Sequence, residues 1–177
     1  MTQVSLSTLV AGAIAGKLVS FPTDTVPALA VQPQNSELVF LAKQRSQTKP
    51  LILMGASSQS LWSFVSGTPA ERQIWQQVAL QYWPGALTLV LPASDKVPVV
   101  MNPTDSSTIG IRVPNSEMAI AILSQTGPLA TTSANRSGEP PLLTMAEIEV
   151  DFPEVLTLAP SELANFPEVK TGLPSTV

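Results

Sequence analysis

Lys43, Arg45 and Lys49 crowd one short stretch of a chain that has only nine lysines and arginines. Lys43 and Arg45 are two residues apart. On a helix they would diverge by about 200°, whereas in an extended segment they would point the same way. Ser46-Gln47-Thr48 suits a helix exit, so the extended arrangement is the expectation, with Lys43 and Arg45 open to a cleft. Three cations so placed can hold a triphosphate, and arginine suits bidentate contacts. The competing reading is that Lys43 and Arg45 only complement the negative end of a helix dipole.

Other segments offer polar groups at strand ends. Arg112 interrupts the apolar run Ile109-Gly110-Ile111-Arg112-Val113, and a charge there needs a partner. That partner is either an acid of the protein or the carboxylate of a ligand. Thr131-Thr132-Ser133-Ala134-Asn135 follows an apolar strand. Its hydroxyl and amide groups can meet phosphate or ribose oxygens, or can close a local turn. Asp24, between Thr23 and Thr25, can hold a metal or cap a turn. Gly12 to Lys17 imitates a phosphate loop but has Ala11 and Leu18 where Gly and Ser/Thr are required. It reads as the frayed end of an amphipathic helix. Trp62, Phe64, Trp75 and Trp83 fall at helical spacings and read as core.

Composition removes several chemistries. The chain has no cysteine and no histidine, which excludes disulfides, thiolate nucleophiles, imidazole bases and Cys/His zinc sites. Net charge is −4, a poor match for coating nucleic acid through bulk charge. The charge is uneven: six acids and eight bases precede residue 137, seven acids and one base follow. No apolar run is long enough for a membrane span, and no basic segment precedes the first apolar stretch. A cytoplasmic protein is expected.

These groups need a frame. A helix is predicted from Ser5 or Ser7 to Lys17, strands over 18–21 and 29–31, a helix capped by Asn35 and ending near Lys43, and a strand over 51–54. Thr68-Pro69-Ala70-Glu71 is a capping box for a helix ending at Trp83-Pro84-Gly85. Strands follow over 86–91 and 108–113 with no helix between them. Asn115 caps a helix ending near Gly127, and a strand covers 128–132. Thr144-Met145-Ala146-Glu147 caps a short helix, and 156–159 form a last strand. The pattern predicts an α/β fold, a mixed sheet with helices on its faces, in one domain spanning 1–177.

Taken in order, several stretches resemble the YrdC-like threonylcarbamoyl-adenylate synthase family. They are Pro22-Thr23-Asp24-Thr25-Val26, Lys43-Gln44-Arg45, Lys49-Pro50-Leu51-Ile52, Trp83-Pro84-Gly85, Ile111-Arg112-Val113-Pro114, Ser133-Ala134-Asn135 with Ser137-Gly138, and Gly172 with Ser175-Thr176. The resemblance implies a twisted mixed sheet around one large cleft. It implies an enzyme that condenses L-threonine, bicarbonate and ATP into threonylcarbamoyl-adenylate and pyrophosphate, with Mg2+ accompanying the nucleotide. The product feeds the machinery that transfers threonylcarbamoyl to tRNA as t6A. ATP contacts carry over to Lys43, Arg45, Lys49, Thr108, Ser133, Asn135 and Pro141, with Lys43 and Arg45 catalytic. Threonine contacts carry over to Thr25, Met54, Arg112, Thr131 and Ser175. The alternative is a catalytically weak relative that binds nucleotide or RNA in the same cleft.

Two departures stand out. Pro27-Ala28 replaces the Tyr-Gly usual in the family, removing a backbone donor and an aromatic wall. The family pattern also continues past Ser175-Thr176 through a further strand bearing an ATP-contacting arginine. The sequence therefore predicts that Ser175 frays and that either the natural chain is longer or catalysis is poor, unless Arg136 substitutes.

Overall fold

The computed structural model describes residues 2–44, 49–167 and 172–177. In chain order the elements are β1 (Gln3–Val4), α1 (Leu6–Ile14), β2 (Val19–Phe21), β3 (Ala28–Val31), α2 (Glu37–Ala42), β4 (Ile52–Met54), α3 (Ser58–Leu61), α4 (Pro69–Tyr82), β5 (Leu89–Pro92), β6 (Thr108–Arg112), α5 (Glu117–Thr126), β7 (Leu129–Ser133), α6 (Met145–Asp151), β8 (Thr157–Leu158) and α7 (Pro160–Leu163). Six strands form one sheet in the order β2-β3-β7-β4-β6-β5, while β1 and β8 pair separately. Only β4 and β6 run parallel in the large sheet; its other pairs are antiparallel. The expected mixed α/β sheet is therefore present, and its central strand β7 comes late in the chain.

Register decides which side chains share a face. Ala28 lies opposite Ser133, Ala30 and Ile52 opposite Thr131, and Met54 opposite both Leu129 and Arg112. Side chains alternate along each strand, so these residues occupy one face. Leu29, Val31, Leu53, Ile109, Ile111 and Ala130 occupy the other, packed with Val39 and Phe40 of α2, Leu61 of α3 and Met145 and Ile148 of α6. On the first face, α1 and α5 bring Leu9, Val10, Ala13, Met118, Ala119, Ile122 and Leu123 over Val19, Phe21, Ala30 and Leu129. Each fully buried leucine, isoleucine, valine, methionine or phenylalanine side chain contributes ~1.5–3 kcal/mol. Thr131, Ser133, Ile52 and Arg112 lie beyond this cover.

Local chemistry explains most boundaries. Ser5 caps α1 by accepting the Thr8 N–H. The predicted frayed end at Gly12–Lys17 is instead closed: Gly16 takes φ +80°, its N–H meets Ala13 O, and the Lys17 N–H meets Gly12 O, a Schellman cap. Thr68 and Thr144 each form the expected capping box, with Glu71 and Glu147. Two caps fall one residue from their predicted places. Ser116, not Asn115, caps α5 by accepting the Ala119 N–H. Asn35 ends a 3₁₀ turn, Pro33–Asn35, that runs directly into α2. Another 3₁₀ turn, Val99–Met101, lies between β5 and β6 where no helix was expected. The tryptophans are half-buried and pack at the margin of the core, Trp62 against Trp83 with ring centroids 6.0 Å apart. Among the described residues no helix is long and apolar enough to cross a membrane.

Candidate functional site

The uncovered part of the sheet face floors a cavity of about 330 Å³, within the size range of small-molecule sites. Its walls come from the loop between β2 and β3, the end of α2, Lys49-Pro50, the turn after β7, and Pro174-Ser175. Lys43, Lys49 and Arg112 line it, and no carboxylate does among the described residues. The cavity therefore favours an anionic or carboxylate-bearing ligand.

The β2–β3 loop is a hydroxyl-built turn. Thr23 Oγ1 accepts the Thr25 N–H at 3.1 Å and donates to Val26 O at 2.7 Å. Its only proton is then used, so Thr25 Oγ1 donates in the 3.1 Å contact between the two hydroxyls. Thr25 Oγ1 also accepts from Arg112 Nη1 at 2.9 Å. Its remaining lone pair makes it an acceptor toward the cavity.

Arg112, the last residue of β6, is almost fully buried and held at three points. Nη1 donates to Thr25, Nη2 to Asp24 Oδ1 at 2.6 Å, and Nε to Gly85 O at 3.0 Å. Burial lowers its pKa from the ordinary arginine value, and the neighbouring Asp24 carboxylate opposes that shift; the group stays protonated. The Gly85 carbonyl is delivered by a turn in which a Cβ would sit 2.4 Å from Tyr82 O, so another residue there would displace the acceptor. Asp24 thus neither caps the turn nor gathers with other acids: among the described residues no three His, Cys, Asp or Glu side chains group as metal ligands. It is the protein acid that pairs Arg112.

Lys43 corrects its expected setting. It is the C-cap of α2 in helical backbone, and Gln44 turns left-handed at φ 49°, so the chain is not extended there. The residue is 1% exposed rather than open to the cleft, although it borders the cavity. Nζ donates to Ser133 O and, at 3.2 Å, to Asn135 Oδ1. Asn135 Oδ1 also accepts from Ser133 Oγ at 2.5 Å, while Nδ2 donates to Arg136 O and Glu139 O. Both ends of the amide are therefore engaged. Arg45 lies outside the described residues.

The remaining candidates divide. Lys49, Met54, Thr131 and Ser175 line the cavity, with Thr131 Oγ1 donating to Ile52 O at 3.0 Å. Ser175 does not fray. Its hydroxyl meets Thr88 Oγ1 at 3.2 Å, the Thr176 N–H bonds Ala86 O, the Thr88 N–H bonds Thr176 O, and the Gly172 N–H bonds Thr25 O. Thr108 and Pro141 are not among the lining residues. Thr108 begins the strand that Arg112 ends, ~13 Å away at the usual strand rise, and its hydroxyl is engaged by Asn102 and Asp105. Arg136 is directed elsewhere, donating to Asp151 O at 2.8 Å and stacking over Phe152. Sequence reasoning missed Thr88 and the role of Gly85. The Trp-Pro-Gly turn was a signal for the latter; nothing local marked Thr88.

Comparison with known proteins adds to this geometry. Residues 14–177 match the Sua5_yciO_yrdC family, whose description reads Telomere recombination. A threonylcarbamoyl-AMP synthase of Pyrococcus abyssi is 37% identical over 77% of the chain and 40% of its own length. One from Halorhodospira halophila is 34% identical over 77% of the chain and 72% of its own length. The crystal structure of P. abyssi Sua5 complexed with L-threonine superposes with a TM-score of 0.78 at 29% identity, over 97% of the chain and 47% of Sua5. The chain thus spans about half or less of the length of the P. abyssi relatives it matches.

Proposed function

The chain belongs to the Sua5/YciO/YrdC family, and from that premise we propose that it is a nucleotidyltransferase making threonylcarbamoyl-AMP from L-threonine, bicarbonate and ATP. The observation that carries this reading is a cavity on the sheet face lined by cations and, among the described residues, by no carboxylate, in a fold shared with a threonine-bound relative. The threonine nitrogen attacks the bicarbonate carbon, and loss of water leaves an N-carboxylate. An oxygen of that carbamate attacks the α-phosphorus of ATP. The bond to the β-phosphate bridging oxygen breaks, and pyrophosphate departs with the electron pair.

In this reading Lys43, Arg45 and Lys49 neutralise the phosphates, which suits chemistry driven by positioning and charge. Ser133 and Asn135 orient the nucleotide, and Thr108 and Pro141 are assigned to it by family resemblance. Arg112 takes the threonine carboxylate through its unused N–H groups. Thr25, as an acceptor, takes a donor of the amino acid, its amine or hydroxyl. Met54, Thr131 and Ser175 complete that pocket. Mg2+ enters with ATP as part of the substrate. The product passes to the transferase machinery that builds t6A in cytoplasmic tRNA.

The test is pyrophosphate release by the purified chain. Release is expected only when L-threonine, bicarbonate and ATP are all present. Release unchanged by omission of threonine or bicarbonate overturns the reading. Nucleotide or RNA binding without turnover would identify a catalytically weak binding protein instead.

A further inference from the structure

Asp24 stands next to the cavity without lining it, and its Oδ1 holds the guanidinium of Arg112, which does line it. We infer that Asp24 is a positioning residue for the amino acid: it aims Arg112, and through Arg112 it sets the affinity for threonine while leaving that for ATP little changed. The inference rests on the proposed threonine reading.

Three observations support it. Asp24 is itself immobilised, because Thr23 and Thr25 close the turn around it through Thr23 Oγ1. Its side chain is 10% exposed and that of Arg112 4%, so the pair is shielded from the solvent that screens surface pairs. The contacts to Asp24, Thr25 and Gly85 approach the planar guanidinium from its Nη2, Nη1 and Nε nitrogens. Arginine has five N–H donors. Three are engaged, which leaves one on Nη1 and one on Nη2 for a ligand, in an orientation the protein has already chosen. Asp24 supplies the strongest of the three constraints, since it is the ionised acceptor.

Aim and charge make opposite demands here. Asp24 offsets the positive charge of Arg112, so its field by itself weakens attraction for a carboxylate. If field governed, neutralising Asp24 would tighten threonine binding. If aim governs, neutralising it loosens the guanidinium and weakens binding. Asp24→Asn keeps the side-chain shape and an acceptor oxygen while removing the charge, so the sign of its effect separates the two.

The experiment is calorimetric titration of the full chain with L-threonine and, separately, with a non-hydrolysable ATP analogue. For Asp24→Asn, threonine affinity is expected to fall about tenfold, with analogue affinity changed less than about threefold. In an Arg112→Lys background the same substitution is expected to change threonine affinity less than about threefold, since the fork it aims is gone. Tighter threonine binding, a parallel loss for both ligands, or an undiminished effect in the Arg112→Lys background overturns the inference. If Asp24→Asn does not fold, Asp24→Glu carries the test. It retains the charge but pushes the guanidinium away by a methylene. Selective loss of threonine affinity supports aiming, and an equal or absent effect overturns it. Wild-type protein that binds no L-threonine overturns the threonine reading as well. Wild-type binding with Asp24 variants unaffected overturns this inference alone.

Discussion

One face of the central sheet has two halves with opposite fates. Val19, Phe21, Ala30 and Leu129 are sealed beneath α1 and α5. Thr131, Ser133, Ile52 and Arg112 continue the same face and border an open cavity. Leu129 and Thr131 are two residues apart on β7, yet one is core and the other is floor. Backbone conformation does not separate them, since both are strand residues in an unbroken ladder. Cover separates them. Where helices supply apolar side chains, the face can be entirely apolar; where they do not, each polar group is hydrogen-bonded in place and kept available at the cavity wall.

Substitutions can break this comparison. The largest effect is expected on the sealed half. Leu129→Ala removes a fully buried side chain and should cost ~2–5 kcal/mol, read by chemical denaturation, with threonine affinity of the folded protein unchanged. Thr131→Val on the open half loses only the bond to Ile52 O. It should cost about 1 kcal/mol in stability and weaken threonine binding selectively. Equal ligand effects from both substitutions would erase the distinction between the halves.

Next in size is Lys43→Ala, at the part of the cavity proposed to take the phosphates. Turnover should fall about 10²–10³-fold, ~2–4 kcal/mol, by analogy with loss of an oxyanion donor. Because Lys43 is buried, the variant also removes a donor from Ser133 O and Asn135 Oδ1, and Tm should fall. Steady-state kinetics at saturating ATP, corrected for the folded fraction, checks this. A corrected rate equal to wild type would make Lys43 a purely structural lysine.

The smallest effect is expected away from either half, at the α4 cap. Glu71 is held below the usual carboxylate pKa by its hydrogen bonds, first from the Thr68 hydroxyl and then from the Thr68 N–H. A depressed folded pKa contributes stability that is present above the unfolded value and lost as pH falls through the folded one. The Tm difference between wild type and Glu71→Gln should therefore favour wild type near about pH 7 and shrink toward about pH 3. A constant difference across that range would show that the carboxylate charge plays no part in the cap.

Local rules made much of this molecule legible in the sequence. The capping boxes of α4 and α6 and the Ser5 cap need only a hydroxyl and the next three residues. The strands other than β1 announced themselves as apolar runs, and the scarcity of cations directed attention to Lys43, Lys49 and Arg112. Tertiary structure decided what those groups touch. Asp24 and Arg112 lie 88 residues apart, and either could have served another partner until register placed Arg112 beside Met54 and the Thr23 turn placed Asp24 within reach. The burial of Lys43, the separation of Thr108 from the cavity and the hold of Thr88 on Ser175 share that origin. A cap is settled by bonds within one turn of chain. Strand order and ion-pair choice are settled by whichever packing buries the most apolar surface while leaving buried polar groups bonded, and that condition is met only by the whole fold.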